Sequence, residues 1–177
     1  MGQGLSNYVI ITNSYPKKKS NSNNSYIFLD IDGVLNCAKD RTEDRITHNP
    51  SKALLLNLKK IADNIPNLII ILSSTWRLTE NNRKIVDRSL DSIDLKVSGY
   101  TSNKVLDASG DRPDEIFEYI TKNNLQNNPW VAIDDMDMVE MNSNLSPNNF
   151  CRTDDYKGLT IEKAYEVIEK LRKQINN

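Results

Sequence analysis

The chain has 177 residues, with 23 lysines and arginines against 24 aspartates and glutamates, and its formal net charge is −1 at pH 7. This length is typical of one domain with one hydrophobic core, and the balanced charge excludes a strongly basic nucleic-acid binder. Two widely separated cysteines and a single histidine exclude a cysteine zinc cluster and a multi-histidine metal site and argue against a disulfide scaffold.

The first 25 residues differ in composition from the rest. They contain three consecutive lysines, Lys17–Lys19, and no acidic residue, and positions 20–25 are rich in serine and asparagine. Such a segment buries too little apolar surface to offset chain entropy. We therefore expect a polar, partly disordered leader in which Tyr8–Thr12 is able to pair as a short edge strand.

The first six residues, Met1 to Ser6, match the pattern of N-terminal acylation at Gly2. The lysine cluster downstream supplies the second, electrostatic signal that a single acyl chain needs for stable membrane binding. The competing interpretation is that this segment is an ordinary leader without an acyl chain. We expect membrane association only if Gly2 is acylated.

From Tyr26 onward, short apolar runs alternate with amphipathic stretches, a pattern typical of buried parallel strands joined by helices. These elements predict one α/β domain over residues 26–177, with a doubly wound, mainly parallel sheet between two layers of helices. The predicted strands are 26–31, 68–73, 95–100, 130–134 and 149–153, and the predicted helices are 50–64, 113–122 and 161–175. Their predicted core-facing stripes are Ala53, Leu54, Leu58, Ile61 and Ile65; Ile116, Phe117 and Ile120; and Ile161, Ala164, Tyr165, Ile168, Leu171 and Ile175.

The sequence pattern contains neither a membrane-spanning segment nor a secretion signal. The longest continuous apolar run, Leu68 to Leu72, has five residues, whereas a spanning helix needs about 18 or more. The N-terminus lacks a basic region followed by an apolar stretch. We therefore expect an intracellular, cytoplasmic protein.

Polar side chains follow three of the predicted strands at the point where each strand ends. Asp30 and Asp32 lie two residues apart, on the same side of the first strand's end, and Gly33 then permits a sharp turn. Ser73 ends the second strand, and Asp134 ends the fourth and is followed by Asp135. Because ligands bind at the carboxyl ends of the strands in an open parallel sheet, we expect at least three carboxylates, several hydroxyl groups and a cation, the guanidinium of Arg77, at one rim.

Carboxylates gathered at one rim cannot all stay ionised unless a cation lies among them or some are protonated. Oxygen ligands without histidine or thiolate favour Mg²⁺, which commonly keeps waters that substrate phosphate replaces. This points to phosphoryl chemistry, in which one aspartate attacks phosphorus while a second carboxylate protonates the leaving oxygen and later activates water.

Four short segments form a set of motifs in a fixed order. They are Phe28–Asn36 (FLDIDGVLN), Ser73–Arg77 (SSTWR), Trp130–Asp135 (WVAIDD) and Gly158–Thr160 (GLT). The set resembles the haloacid dehalogenase (HAD)-like phosphohydrolases, whose first motif has the form DxDG after an apolar strand. More narrowly, the chain is similar to the small HAD domain associated with Swiss-army-knife RNA repair proteins, from about Tyr26 to Leu171. This resemblance implies a Rossmann-like, HAD-like fold.

The resemblance also implies a role for each motif residue. It makes Asp30 the nucleophile and a metal ligand. It makes Asp32 the general acid and base, which also offers its backbone carbonyl to Mg²⁺. It assigns Ser73 to the binding of the transferring phosphoryl group.

Two roles implied by the resemblance have more than one candidate. The family's basic residue, which neutralises charge on the phosphoryl oxygens, best matches Arg112, with Lys104 as the alternative. In the acidic pair, Asp135 is the preferred direct metal ligand and Asp134 supports it, although the sequence is compatible with either carboxylate facing the ion.

The spacing of the motifs leaves no room for a cap domain. Only a short flap and one helix fit between Asp32 and Ser73, and one helix and a loop fit between Arg112 and Asp134. An uncapped rim admits a phosphate on a polymer end, a protein side chain or a nucleotide. We expect a Mg²⁺-dependent phosphomonoester hydrolase that acts on a nucleic-acid or nucleotide phosphate end, without strong duplex binding. The alternatives are a phosphoprotein phosphatase and a catalytically idle phosphate-binding or membrane-tethered module.

Several neighbours of the motifs have competing interpretations. Ser74 is a second candidate phosphate-binding residue, but it and Thr75 also fit a helix cap. Arg77 fits either a substrate contact or a surface ion pair. Asn36 fits either the ordering of the flap or a simple turn.

Four further residues are interpreted as structural. Trp76 and Trp130 are expected to pack in the core or at the rim, because no basic stripe accompanies either one. Cys37 is expected to fill a small buried space, and His48 to be an exposed residue at a helix entry.

Overall fold

The structure is a computed structural model that describes residues 24–40, 49–103 and 111–176. The predicted leader apart from its last two residues, with its acylation pattern and edge strand, lies outside the described residues, as do His48 and Lys104. The division of the chain at residue 25 therefore stays a prediction.

Five parallel strands form one sheet in the order β3-β2-β1-β4-β5. They are β1 (Ser25–Leu29), β2 (Leu68–Leu72), β3 (Val97–Tyr100), β4 (Trp130–Asp134) and β5 (Phe150–Arg152), each with bounds within two residues of the predicted ones. β1 pairs with β2 on one side and with β4 on the other. The strand order therefore reverses next to β1, which is where ligands bind in such sheets. The predicted doubly wound parallel sheet is confirmed.

Helices cover both faces of the sheet. They are α1 (Lys52–Asn64), α2 (Glu80–Asp91), α3 (Arg112–Lys122), α4 (Met138–Met141) and α5 (Ile161–Ile175). Ile27 and Leu29 of β1 share a core cluster with residues of α1, α2 and α5, whereas Tyr26 and Phe28 share a second cluster with residues of α3 and α4. All four side chains are buried, as expected for a central strand that is covered on both faces. This confirms the three predicted layers.

The set of helices predicted from the sequence is incomplete, and one of its core-facing stripes is partly wrong. α2 was not predicted because its twelve residues are mostly polar, and Val86 and Leu90 are its buried residues. In α1 the predicted stripe was wrong at Ala53, which is exposed, and it omitted Leu55, which is buried.

In α5 the buried stripe is narrower than predicted. Val167, which was not predicted to face the core, is buried together with Ala164, Ile168 and Leu171. These four positions have the i, i+3, i+4, i+7 spacing of a single helical face. The three predicted positions that are exposed instead are Ile161, Tyr165 and Ile175.

Across the described residues, no cap domain interrupts the sheet. The described part of the connection from β1 to β2 holds a flap over residues 33–40 and α1, and α3 is the helix between Arg112 and β4. None of the helices in these described ranges is both long and apolar enough to cross a membrane.

Candidate active site

Three carboxylates meet at the carboxyl edge of the sheet, next to the point where the strand order reverses. Asp30 follows β1, and Asp134 and Asp135 lie at the end of β4, which pairs with β1 in parallel register. The Asp30 backbone N–H donates to the carbonyl of Ile133 at 3.0 Å, which fixes the two strand ends side by side. One ligand oxygen from each of the three aspartates lies within 4.8 Å of the others. The structure thus brings together three of the four predicted metal ligands through their side chains.

Arg112 adds a guanidinium to this carboxylate cluster from the first residue of α3. The helix start is fixed by a capping box, in which the Asp111 side chain accepts from the Asp114 N–H and the Asp114 side chain accepts from the Asp111 N–H. The Arg112 Nη1 lies 2.5 Å from Asp134 Oδ2 and 3.1 Å from Asp30 Oδ2. The sequence interpretation of Arg112 as the basic residue of the site fits this position, whereas Lys104 lies outside the described residues.

Burial shifts the titration of these charged groups. It raises the pKa of Asp134 to about 7, and the negative charge of Asp30 acts in the same direction, while Arg112 opposes the shift. Burial also raises the pKa of Asp30, against the opposing influence of Arg112 and of a hydrogen bond with the Ser74 side chain. Burial acts to lower the pKa of Arg112, but Asp30 and Asp134 outweigh it and raise the pKa. The cluster is therefore short of positive charge, a deficit that a bound cation would offset.

The Asp32 carboxylate lies outside the group of three and is held by two donors. Asn36 Nδ2 donates to its Oδ1 at 2.9 Å, and Trp76 Nε1 donates to its Oδ2 at 2.8 Å. The Asn36 carbonyl also accepts from the Gly33 N–H at 2.8 Å and closes the turn, so the structure fits both sequence interpretations of Asn36. Trp76 is buried as predicted, but the sequence interpretation missed its contact with Asp32.

Gly33 allows the first motif to lie against the acidic pair. Its φ is +67°, and a Cβ at this position would lie 2.5 Å from the Asp135 carboxylate carbon. The carbonyl of Gly33 accepts a hydrogen bond of 2.8 Å from the Thr153 hydroxyl, which follows β5. Thr153 was missed, although a hydroxyl directly after a strand is the same signal that selected Ser73.

The two serines after β2 have different surroundings. Ser73 is 2% exposed, its backbone N–H donates to the carbonyl of Leu29, and its hydroxyl has no hydrogen-bond partner among the described residues. The Ser74 side chain contacts Asp30 and also accepts from the Trp76 N–H at the start of a 3-10 turn over Thr75–Leu78. The cap interpretation of Ser74 is confirmed, and the same side chain also contacts the candidate nucleophile.

Arg77 forms an ion pair, as one sequence interpretation held, but the pair is buried and not at the surface. Arg77 is 6% exposed, and its Nη2 lies 2.7 Å from Oε2 of the fully buried Glu115 on α3. It also donates to the carbonyls of Ser74 and Thr101. Arg77 therefore ties the ends of β2 and β3 to α3, whereas its neighbour Thr75 is exposed.

The other residues interpreted as structural follow the predictions. Cys37 is buried as predicted, Cys151 is buried as well, and neither forms a disulfide. Trp130 is half-buried, with its ring edge-on to those of Phe28 and Phe117 at centroid distances of 5.7 and 6.3 Å.

A family model described as "HAD domain in Swiss Army Knife RNA repair proteins" matches residues 26–164 of the chain. This range extends from β1 into α5 and contains every candidate site residue described above. The match confirms the resemblance that the four motifs indicate. Comparisons with curated proteins and with solved structures find no match.

Proposed function

The chain belongs to the family of HAD domains in Swiss Army Knife RNA repair proteins, and from this premise we propose that it is a Mg²⁺-dependent phosphomonoester hydrolase. In this proposal Asp30 is the nucleophile and Asp32 is the general acid and base. The proposed substrate is a phosphate at the end of a nucleic acid or on a nucleotide.

The observation that carries the proposal is the convergence of Asp30, Asp134 and Asp135, whose ligand oxygens lie within 4.8 Å of one another. Their donor set is all oxygen, which suits a hard divalent cation. The raised pKa values of Asp30 and Asp134 support the same fit, because a cation there would offset the cost of burying ionised carboxylates. Bound Mg²⁺ would supply charge stabilisation for the phosphoryl oxygens and reduce their repulsion with the nucleophile.

In the first proposed step, a carboxylate oxygen of Asp30 attacks phosphorus, and the bond from phosphorus to the leaving oxygen breaks. Asp32 gives a proton to that leaving oxygen, which departs as an alcohol. The guanidinium of Arg112 and the hydroxyl of Ser73 would bind the equatorial phosphoryl oxygens. The buried hydroxyl of Ser73, which has no partner among the described residues, supports this role.

In the second proposed step, water attacks the phosphorus of the aspartyl-phosphate. The Asp32 carboxylate takes a proton from the water, and the bond from phosphorus to the Asp30 oxygen breaks. Inorganic phosphate leaves, and both aspartates return to their starting states. Trp76 and Asn36 would hold the Asp32 carboxylate in one orientation through both steps.

The enzyme proposal is tested with a generic aryl phosphate and Mg²⁺. We expect phosphate release that EDTA abolishes, and Asp30→Asn should lower kcat on the order of a thousandfold or more. Asp91→Asn, at an exposed position on α2, is the matched control and should retain activity. A lack of turnover with every divalent ion tested would overturn the proposal in favour of a phosphate-binding module.

We also propose a cytoplasmic location, with membrane association only if Gly2 is acylated. The acylation pattern over Met1 to Ser6 supports this proposal. Mass spectrometry of the N-terminal peptide from the native host tests the acylation, and an unmodified Met1 or a free Gly2 would exclude membrane association by this route.

A further inference from the structure

Thr153 joins the two segments that carry the acidic residues of the candidate site. It follows β5, and its backbone N–H donates to the carbonyl of Asp134 at 2.9 Å. Its hydroxyl donates to the carbonyl of Gly33 at 2.8 Å, although these two residues are 120 positions apart in the chain. Thr153 is 4% exposed. One buried residue thus bonds to both the acidic pair and the first motif.

The turn at Gly33 is fixed by a hydrogen bond on each side of its α-carbon. Its N–H donates to the carbonyl of Asn36 at 2.8 Å, and its carbonyl accepts from Thr153. Between these two bonds φ is +67°, and a Cβ at this position would lie 2.5 Å from the Asp135 carboxylate carbon. Because Gly33 has no side chain, its backbone lies directly against Asp135. A shift of the Gly33 carbonyl therefore changes the distance between the first motif and the acidic pair.

The flap over residues 33–40 has three further hydrogen bonds to the loop after β5, and none of them involves the Thr153 side chain. In each, a backbone N–H donates to a backbone carbonyl. The pairs, with the donor first, are Leu159 and Val34 at 2.8 Å, Ala38 and Asp155 at 2.9 Å, and Lys39 and Tyr156 at 3.1 Å. The flap therefore stays attached to this loop without the Thr153 hydroxyl, whose effect is local to Gly33.

Burial makes the Gly33 carbonyl dependent on the Thr153 hydroxyl. Both residues are buried, so bulk water does not directly replace the donor. A buried carbonyl that loses its donor keeps the full cost of its desolvation, and the turn can relieve this cost only by moving. Such a movement shifts the peptide group between Asp32 and Gly33.

We propose that Thr153 is a positioning residue of the metal site. Through the Gly33 carbonyl, it holds the first motif against Asp135. The carboxylates of Asp30 and Asp135 and the backbone carbonyl of Asp32 then bind the same Mg²⁺. The inference rests on the proposed function and adds a residue to which that function assigns no role. Groups that orient metal ligands without touching the ion commonly contribute about tenfold to a hundredfold to metal affinity.

The test measures Mg²⁺ affinity in the full chain without substrate. In calorimetric titration, Thr153→Val, which keeps the side-chain shape but has no hydroxyl, should give a Kd for Mg²⁺ about tenfold above that of the wild type. Thr153→Ala should show the same loss, because it also lacks the hydroxyl and places no methyl group beside the Gly33 carbonyl. Thr153→Ser keeps the hydroxyl and should bind Mg²⁺ as the wild type does.

Thr79→Val is the control for a general loss of stability. The Thr79 hydroxyl caps the start of α2 by accepting from the Asn82 N–H, and the residue is exposed. The substitution should lower the thermal unfolding temperature in EDTA without a change in Mg²⁺ affinity. Unfolding of all four variants in EDTA sets a titration temperature at which each is folded. A loss of Mg²⁺ affinity at Thr153 is therefore separable from a loss of stability.

Three outcomes would overturn the positioning role while the wild type binds Mg²⁺ and hydrolyses an aryl phosphate, and they would leave the proposed function intact. The first is wild-type Mg²⁺ affinity in either variant that lacks the hydroxyl. The second is an equal loss in Thr153→Ser, which would show that the hydroxyl is not the group that matters. The third is an equal loss in Thr79→Val, which would tie Mg²⁺ affinity to overall stability. A wild type that neither binds Mg²⁺ nor hydrolyses the aryl phosphate would overturn the proposed function, and this inference with it.

Discussion

The indole of Trp76 donates a hydrogen bond of 2.8 Å to Oδ2 of Asp32, although the two residues are 44 positions apart in the chain. Asn36 donates to the other carboxylate oxygen at 2.9 Å. The position of Trp76 is itself fixed, because its backbone N–H donates to the Ser74 hydroxyl at the start of the 3-10 turn. The orientation of the Asp32 carboxylate thus depends on both the flap and the segment after β2.

Trp76→Phe tests whether this contact positions Asp32. Phenylalanine keeps an aromatic ring in the buried site but has no N–H to donate, so one carboxylate oxygen loses its donor. We expect kcat with an aryl phosphate to fall by roughly tenfold to a hundredfold while KM changes little, because misplacement of the acid affects the reaction more than binding. Steady-state kinetics measure both constants.

Trp130→Phe is the matched control for this substitution. Trp130 begins β4, away from the carboxyl edge, and contacts Phe28 and Phe117. Trp130→Phe should therefore reduce thermal stability without a selective fall in kcat. If both variants lower kcat equally, or if Trp76→Phe raises KM alone, Trp76 does not position Asp32.

Gly33→Ala tests the close approach of the first motif to the acidic pair. The new Cβ would overlap the Asp135 carboxylate, and the φ of +67° disfavours any residue but glycine. We expect a loss of about 1–3 kcal/mol in the free energy of unfolding and at least a tenfold loss of Mg²⁺ affinity. Urea unfolding and calorimetric Mg²⁺ titration measure the two effects.

Gly158→Ala separates backbone strain from the metal site. Gly158 has a similar φ of +69°, but its Cβ would meet Leu54 and the carbonyl of Val34 instead of an acidic side chain. This variant should lose stability and keep Mg²⁺ affinity. Equal Mg²⁺ affinity in Gly33→Ala and the wild type would contradict the predicted contact with Asp135.

Asp134 and Asp135 are expected to respond differently to substitution. Both oxygens of Asp134 have partners, since Oδ2 pairs with Arg112 and Oδ1 accepts from the Met136 N–H. Asp135 is only half-buried and belongs to the same group of ligand atoms. We therefore expect Asp135→Asn to remove most of the stabilisation by Mg²⁺, which is about 2.7 kcal/mol at a hundred times Kd, and to change metal-free stability little.

Asp134→Asn is the comparison. It removes a carboxylate whose raised pKa shows that its ionised form is disfavoured in the metal-free cluster, and Arg112 keeps Asp30 as a partner. We therefore expect it to change metal-free stability little and to keep more of the stabilisation by Mg²⁺ than Asp135→Asn does. Thermal unfolding in EDTA and in Mg²⁺ measures both variants. The reverse pattern, with Mg²⁺ stabilisation retained in Asp135→Asn, would make Asp134 the direct ligand.

The sequence was most informative where one local rule decides the structure. The strands β1 and β2 are continuous apolar runs because both of their faces are covered, so their positions were predictable to within one or two residues. The same reasoning located Asp30, Ser73 and the acidic pair, because each directly follows or ends a strand. Helix α2 escaped prediction because it contributes only a narrow buried face and is otherwise polar.

Contacts between distant segments were not predictable from local pattern. The buried pair of Arg77 and Glu115 joins residues 38 positions apart, and nothing in either segment indicates the partner. The contact of Trp76 with Asp32 has the same origin. By contrast, Thr101 and Thr153 were accessible to the strand-end rule, which was applied to three strands and not to β3 and β5.

Cys151 gives a pH prediction that is independent of the active site. This thiol lies in β5 with no solvent exposure, and burial, with the nearby charge of Glu166, raises its pKa to about 12. In the unfolded chain the thiol ionises near pH 8.5. Between these two values the unfolded state loses a proton that the native state keeps, so this thiol lowers the free energy of unfolding as pH rises above about 8.5.

Cys151→Ala isolates this effect from other groups that titrate at alkaline pH. Between pH 8 and pH 10 the wild type should lose about 1–2 kcal/mol more unfolding free energy than the variant, since one pKa unit corresponds to about 1.4 kcal/mol. Urea unfolding at the two pH values measures the difference. The small cavity left by alanine lowers the free energy of unfolding equally at both pH values, so it does not contribute to the change with pH. In parallel, iodoacetamide at pH 8 should modify Cys151 only after unfolding, because the native thiol is buried and protonated. Equal losses of stability in the two proteins, together with alkylation of the folded wild type, would show that the thiol is reachable and ionises normally in the native state.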